Sequence, residues 1–107
     1  MRGKVVAALL SFAGVVACSG PARAPQTREV IIDSLAFGPA PTEARVGDTI
    51  RWVNRDMFQH SATARDGSFD VDLPAGASGS AVLTRAGTIQ YYCRYHPGMT
   101  GRLSVSS

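Results

Sequence analysis

Near the end of the chain stands the stretch Tyr91-Tyr92-Cys93-Arg94-Tyr95-His96-Pro97-Gly98-Met99. It contains a thiol, an imidazole and a thioether, each three positions from the next. A strand that leads Cys93 into a tight loop would direct all three side chains toward one point. Two imidazoles, one thiolate and a weak axial thioether form the ligand set of blue-copper electron-transfer sites. The one other histidine of the chain, His60, supplies the imidazole that the stretch lacks.

Each of these residues has a plainer explanation when it is taken alone. A single histidine such as His60 is more often a surface or hydrogen-bonded core residue than a ligand, and His96 before a proline is typical of a turn. Met99 alone would be core filling, and Cys93 alone would be a buried, inert thiol. Their common spacing in one loop, with His60 at the start of an upstream strand, favours a metal site.

The N-terminal residues 1–17 carry two basic residues followed by an apolar run. This pattern predicts a secretory signal, because the run is too short for a membrane span. The run ends in Val15-Val16-Ala17-Cys18, which resembles a bacterial lipoprotein signal whose cysteine is lipid-modified and becomes the new N-terminus. An ordinary leader that is cut at Ala17 or Ala22 is the alternative. Both predict a periplasmic or other extracytoplasmic domain.

Residues 18–28 are predicted to be a flexible tether, and residues 29–107 the folded domain. The tether is rich in proline, glycine and small residues, and about ten extended residues reach roughly 35 Å. A lipid on Cys18 would anchor the domain to a membrane surface without spanning it. Ser19 stands where some lipoproteins carry the aspartate that retains them at the inner membrane, which favours the outer membrane of a two-membrane cell.

Charge and cysteine content narrow the classes of function. The net charge is +3, but removing Arg2 and Lys4 with the leader takes the 11 basic residues to 9, against 8 acidic ones. The chain has no basic stripe, so nucleic-acid binding is not expected. Cys18 and Cys93 could form a disulfide in an exported protein. Lipidation of Cys18 would instead leave Cys93 unpaired, and ligating a metal would explain such a cysteine.

Short apolar runs separated by turn residues predict an all-β domain. The extended segments are Glu29–Ile32, Leu35–Phe37, Thr42–Val46, Thr49–Asn54, His60–Ala64, Phe69–Leu73, Ser78–Thr84, Thr88–Cys93 and Thr100–Ser106. From these we expect a Greek-key β-sandwich of seven to eight strands. In Thr49–Asn54 the alternation puts Ile50, Trp52 and Asn54 on one face. A buried Asn54 needs hydrogen-bond partners and would brace a nearby loop; the alternative is a turn-tolerant asparagine at a strand end.

Together these residues resemble the cupredoxins, the small blue-copper fold of plastocyanin, pseudoazurin and amicyanin. The Cys-x-x-His-x-x-Met spacing is most similar to amicyanin. Four further segments match the same pattern: Trp52-Val53-Asn54-Arg55, Val46-Gly47-Asp48-Thr49, Ala86-Gly87-Thr88 and Met99-Thr100-Gly101. The resemblance covers about residues 28–106. It implies an eight-stranded sandwich with the metal at one end.

The resemblance also implies roles for individual residues. Copper ligands by position are His60, Cys93, His96 and Met99. Asn54 would link the two loops that carry these ligands. The chain departs from the amicyanin pattern at Gln59, where amicyanin has proline, and at Arg94 and Tyr95, which are larger than their counterparts.

A filled ligand set leaves no place for a substrate, so the residues favour a one-electron carrier and not an enzyme. One copper ion would cycle between Cu(I) and Cu(II). The expected partners are redox proteins, such as a c-type cytochrome or a dehydrogenase or reductase, which a monomer meets transiently. The expected docking surface and electron exit consist of His96, Pro97, Met57, Phe58 and Pro39.

Other functions remain open at the level of sequence. A periplasmic copper-binding or delivery protein would use the same ligands and is the main alternative. A hydrolase built on Cys93 and His60 lacks a nucleophile motif and an orienting third group. A multicopper oxidase needs more histidines, and a binuclear centre needs a second cysteine where Arg94 and Tyr95 stand. A metal-free adhesion sandwich would leave the Cys-His-Met spacing to chance.

Overall fold

The computed structural model describes residues 23–107, so the predicted signal and Cys18 lie outside the described residues. Nine strands follow one another in the described part: β1 (Thr27–Asp33), β2 (Ala36–Phe37), β3 (Ala44–Arg45), β4 (Thr49–Asn54), β5 (His60–Ala64), β6 (Asp70–Leu73), β7 (Ser78–Val82), β8 (Gly87–Tyr92) and β9 (Thr100–Ser106). No helix within residues 23–107 has the length and apolar character to cross a bilayer.

The strands form two sheets that pack face to face. One sheet has the order β2-β1-β4-β7 and the other the order β3-β9-β8-β5-β6. Over its described length, the chain changes sheet five times, on both sides of β3, between β4 and β5, and on both sides of β7. This arrangement confirms the predicted all-β sandwich. The described residues contain more strands than the expected seven to eight because β2 and β3, each of two residues, also pair.

The predicted alternation in β4 is confirmed, because Ile50, Trp52 and Asn54 are all buried. Across the core, the Tyr91 ring lies 5.6 Å from that of Trp52 and 5.8 Å from that of Phe69, measured between centroids. Buried aromatic contacts of this kind contribute strongly to core stability. Tyr91 stands two residues before Cys93 on the same face, so the core packing also holds the strand that leads into the ligand loop.

Gly101 on β9 lies opposite Tyr91 on β8. A Cβ atom at position 101 would lie 2.4 Å from Cζ of the Tyr91 ring. Because the ring is fixed by its aromatic neighbours, only glycine leaves room for it.

We expect Gly101→Ala to lower the free energy of unfolding of the metal-free protein by about 1–3 kcal/mol, as overpacked core positions do. Urea denaturation followed by tryptophan fluorescence measures this. Gly98→Ala is the matched control, because nothing lies within 4 Å of its added Cβ, and its stability should stay within about 0.5 kcal/mol of the unsubstituted protein. Equal stabilities for the two variants would contradict the packing argument.

Asp48 holds the segment before β1 against the sandwich. Its buried carboxylate accepts hydrogen bonds from the Gln26 N–H (2.9 Å), the Arg45 N–H (3.0 Å) and the Arg23 guanidinium (3.0 Å). The second half of the predicted tether, 18–28, is therefore bound to the domain from Arg23 onward, and β1 begins two residues before its predicted start. The sequence carries no periodic signal for the contacts of Arg23 and Gln26, because each lies more than twenty residues from Asp48.

Hydrogen bonding keeps Asp48 ionised in the folded protein. Burial raises its pKa, but the backbone bonds from Gln26 and Arg45 and the Arg23 contact outweigh burial and lower the pKa from 3.8 to about 2. A carboxyl group with a lowered folded-state pKa stabilises the fold above its unfolded pKa. That stabilisation is lost as the pH falls through the folded value.

We expect Asp48→Asn to be less stable than the unsubstituted protein at pH 6, because an amide cannot accept the same set of hydrogen bonds. The difference should shrink as the pH falls from about 4 to about 2, where the native carboxyl group also becomes protonated. Urea unfolding of the metal-free proteins across this range measures it. The exposed Asp33→Asn is the control, and a stability difference for Asp48→Asn that did not change with pH would contradict the linkage.

Candidate metal centre

Three of the four predicted ligands meet at one end of the sandwich. The Cys93 Sγ atom lies 3.6 Å from His60 Nδ1 and 3.7 Å from His96 Nδ1. All three donor atoms lie within 4.8 Å of one another. His60 and Cys93 are fully buried, whereas His96 is partly exposed. The cluster thus has an inner side within the core and one edge at the surface.

The donor set fits a metal ion of the copper type. Donors bound to a single ion at about 2.0–2.3 Å lie roughly 3.5–4 Å apart in a trigonal arrangement, which is the spacing of Cys93 Sγ from the two imidazole nitrogens. On the far side of the His60 ring, Nε2 lies 2.8 Å from Asp56 Oδ2. A carboxylate accepts a hydrogen bond, so Nε2 carries the proton and the Nδ1 lone pair faces Cys93.

The loop between β8 and β9 folds back on itself through its backbone. The Cys93 N–H donates to the Met99 carbonyl (3.0 Å), and the Met99 N–H donates to the His96 carbonyl (2.8 Å). These bonds return the chain to Cys93 after six residues. The Met99 side chain is buried. Its role as the fourth, axial ligand stays a prediction from the sequence.

Ser61 connects the strand that carries His60 with the loop that carries Cys93. Its N–H lies 3.4 Å from the Cys93 Sγ atom, and its Oγ accepts the Arg94 N–H at 2.9 Å. A backbone N–H that points at a sulfur stabilises negative charge on it. The sequence analysis did not single out Ser61, since a serine at the second position of a strand carries no signal of such a contact.

Asn54 is buried and braces the loop before His60. Its amide nitrogen donates to three backbone carbonyls, those of Phe58 (2.8 Å), Leu73 (2.9 Å) and Pro74 (3.2 Å). Its Oδ1 accepts the Asp56 N–H at 2.9 Å. These bonds tie the His60 loop to the end of β6. Ser61 makes a contact between the His60 strand and the Cys93 loop, and the role of Asn54 as a link between the two ligand loops stays a prediction from the sequence.

Asp56 joins His60 to the turn between β1 and β2. Its carboxylate also accepts the N–H groups of Ser34 (2.7 Å) and Leu35 (2.9 Å). These two residues have φ values of 53° and 60°, the left-handed conformation of a two-residue type I′ turn. That conformation costs a non-glycine residue roughly 1–2 kcal/mol. The bonds to Asp56 offset part of this cost and fix the carboxylate in front of His60.

Electrostatics keep Asp56 ionised. The hydrogen bond from His60 lowers the pKa of Asp56 below its ordinary value of 3.8, and the N–H groups of Leu35 and Ser34 lower it further. Asp56 is not among the residues predicted from the sequence. Its one local signal is a spacing of four positions before His60, and the Ser-Leu turn that orients it lacks the Asn-Gly pattern typical of such turns. Leu35, predicted in a strand, lies in this turn.

The four apolar residues of the predicted docking surface are all exposed. Met57 is 89% exposed and Phe58 is 54% exposed. The Phe58 ring centroid lies 6.2 Å from that of His96. Pro97 is exposed in the same loop as His96, and Pro39 is exposed in the segment after β2.

No protein-family model matches the chain. Amicyanin from Paracoccus denitrificans is 30% identical over 91 residues, a match that covers 71% of this chain and 63% of that protein. Plastocyanin from Scenedesmus fuscus is 31% identical over 91 residues and is matched over 88% of its length, with 67% of this chain covered. The chain therefore spans somewhat less than two thirds of the amicyanin and most of the plastocyanin.

Solved structures of amicyanin variants share the fold. A reduced Cu(I) form at pH 4 has a TM-score of 0.66 at 28% identity, over 75% of this chain and 82% of the other. The Cu(I) form of a second variant has a TM-score of 0.67 at 27% identity, over 78% of this chain and 86% of the other. The likeness thus covers both the sequence and the fold of the sandwich. The chain therefore belongs to the cupredoxins, and copper is its cofactor.

Proposed function

We propose that the chain is a type 1 blue-copper protein that carries single electrons between redox proteins outside the cytoplasm. The observation that carries this proposal is the cluster of one buried thiol and two imidazole Nδ1 atoms, with His96 at its exposed edge. The proposed ligands are His60, Cys93, His96 and, in the axial position, Met99. Bound copper would supply a one-electron Cu(II)/Cu(I) couple.

The surrounding residues hold the donors in place. Asp56 fixes the proton on His60 Nε2 and the direction of its ring. Ser61 directs its N–H at the Cys93 sulfur, and the backbone bonds of Cys93 and Met99 close the ligand loop. A donor set held in this way, intermediate between the preferences of the two oxidation states, needs little rearrangement when an electron arrives or leaves.

The proposed electron exit is the exposed edge of His96. The proposed apolar rim of that edge consists of Met57, Phe58, Pro97 and Pro39; all four are exposed, and the Phe58 ring lies 6.2 Å from that of His96. Transient redox complexes use small interfaces, below about 1,200 Å² in total, which such a rim suits. The proposed partners are a c-type cytochrome or a dehydrogenase or reductase, met by a monomer.

We favour a carrier over an enzyme because four protein donors would fill the positions around the metal and leave none for a substrate.

The proposed cellular setting rests on the sequence before the sandwich. Residues 1–17 would be the signal, 18–28 the tether and 29–107 the cupredoxin domain. Lipid modification of Cys18 would hold the protein at a membrane surface facing the periplasm or another extracytoplasmic space. Within the proposed tether, Arg23 and Gln26 contact Asp48 of the domain.

The first test is the visible spectrum of the purified protein after loading with Cu(II). We expect an intense blue band from the Cys93 thiolate that bleaches on reduction and returns on oxidation. Cys93→Ser should abolish the band, and Cys18→Ser, the control, should keep it. A pale protein that still binds copper would overturn the carrier and leave copper delivery with the same ligands as the better function.

We expect Asp56→Ala to weaken copper binding by about 10- to 100-fold, the usual effect of removing a group that orients a ligand. The metal-free variant should also lose about 1–3 kcal/mol of stability, because the N–H groups of Ser34 and Leu35 lose their acceptor. Competition titration against a chelator and urea unfolding measure the two effects. Asp33→Ala removes a nearby exposed carboxylate as the control, and equal copper affinities in the two variants would contradict this role.

A further inference from the structure

The side chain of Arg94 extends away from the ligand loop and binds residues of β5 and β6. Its Nε donates to Asp70 Oδ1 at 3.0 Å and to Thr63 Oγ1 at 3.2 Å. Its Nη2 forms an ion pair with Asp72. Its backbone N–H is held by Ser61, whose hydroxyl lies 2.8 Å from that of Thr63. The residue directly after Cys93 is thus fixed through both its backbone and its side chain.

Tyr95 extends the same network toward the other ligand loop. Its hydroxyl donates to Asp72 Oδ1 at 3.3 Å and accepts from Gln59 Nε2 at 3.2 Å. Gln59 directly precedes His60, and the Arg94 guanidinium lies 5.2 Å from the centroid of the Tyr95 ring. The three positions that depart from the amicyanin pattern therefore contact one another. They form one connected structure and not three separate surface substitutions.

We propose that Arg94, Tyr95 and Gln59, bound to Asp70 and Asp72, form a loop clamp that holds the Cys93–His96 segment in its ligating arrangement before the metal binds and slows the loss of the metal afterwards. The inference rests on the proposed function in one respect, since it takes copper as the ion held. Arg94 is a positioning residue in it and touches no ligand atom.

The contacts of the loop clamp are expected to affect the rate of metal loss. Exposed ion pairs contribute little one at a time, and the carboxylates of Asp70 and Asp72 are 57% and 59% exposed. Here several contacts act on one short loop that carries three of the proposed ligands, and the planar guanidinium meets two carboxylates at once. We expect copper to leave when that loop opens. The loop clamp raises the free energy of the open loop, so it should lower the rate of metal loss.

The test compares Arg94→Ala, Arg94→Lys and Tyr95→Phe with the unsubstituted protein. Transfer of copper to an excess of chelator should be about threefold to tenfold faster in Arg94→Ala. Lysine should recover only part of the difference, because it is a point charge without the planar fork. Tyr95→Phe, which removes one hydroxyl, should accelerate loss less. Arg51→Ala removes an exposed ion pair with Glu29 on the other sheet and is the control; its rate should not change.

Two further readouts separate positioning from general stability. High salt should speed copper loss in the unsubstituted protein but not in Arg94→Ala, because the loop clamp is an exposed ionic contact. In the metal-free protein, the Met99 amide, which bonds to His96, should exchange its hydrogen faster in Arg94→Ala while core amides of β4 keep their protection.

The outcomes separate this proposal from the proposed function. A blue, redox-active protein whose Arg94→Ala variant loses copper at the original rate, with unchanged Met99 exchange, would overturn the loop clamp alone. A protein without the blue band would overturn the carrier, and the Met99 exchange of the metal-free variants would still decide whether the loop clamp exists.

Discussion

The pairing of β5 with β8 is the contact on which the site depends. Thr63 lies opposite Tyr92 and Ala64 opposite Tyr91, so continuing the antiparallel register brings Cys93 level with Ala62, on the same face as His60 two residues earlier in β5. Neighbouring residues of a strand face opposite sides, so a slip of one residue would turn Cys93 away from His60. The aromatic core around Tyr91 holds this register in place. The metal centre is therefore an extension of the core packing.

The sequence was most informative where the evidence is local. Cys93, His96 and Met99 lie within seven positions, and the alternation in Thr49–Asn54 is visible without any partner strand. Contacts across long separations were not predicted: the Asp56 carboxylate depends on a left-handed turn more than twenty residues away, at Ser34. The sequence around Asp56 and the sequence around Ser34 contain no motif that predicts this contact. The sequence thus predicted the three residues that the fold brings together, His60, Cys93 and His96, whereas the contacts around them became visible only in the fold.

Polar braces complement a core of limited size. A domain of this length buries a modest apolar area, and Asp48, Asn54 and Asp56 each gather N–H or carbonyl groups from segments where the strand ladders end. A buried hydrogen bond adds little when made but costs more when one partner is removed. These residues therefore specify where the loops lie more than they add to stability. A bound ion adds stability by mass action, because it binds only the folded arrangement.

The N-terminal end of β1 lies at the end of the sandwich opposite the donor cluster. Thr27 pairs with Thr49 at one end of the sandwich, and Ile32 pairs with Asn54 at the other end, where the ligands lie. About five residues of strand, or roughly 17 Å, separate these ends. If the chain is anchored to a membrane upstream of Arg23, as proposed, the anchor would lie at the Thr27–Thr49 end of the sandwich. The exposed edge of His96, at the opposite end, would then face away from the membrane. A partner embedded in the same membrane would have to rise above the lipid headgroups to reach that edge, whereas a freely diffusing partner would meet it directly.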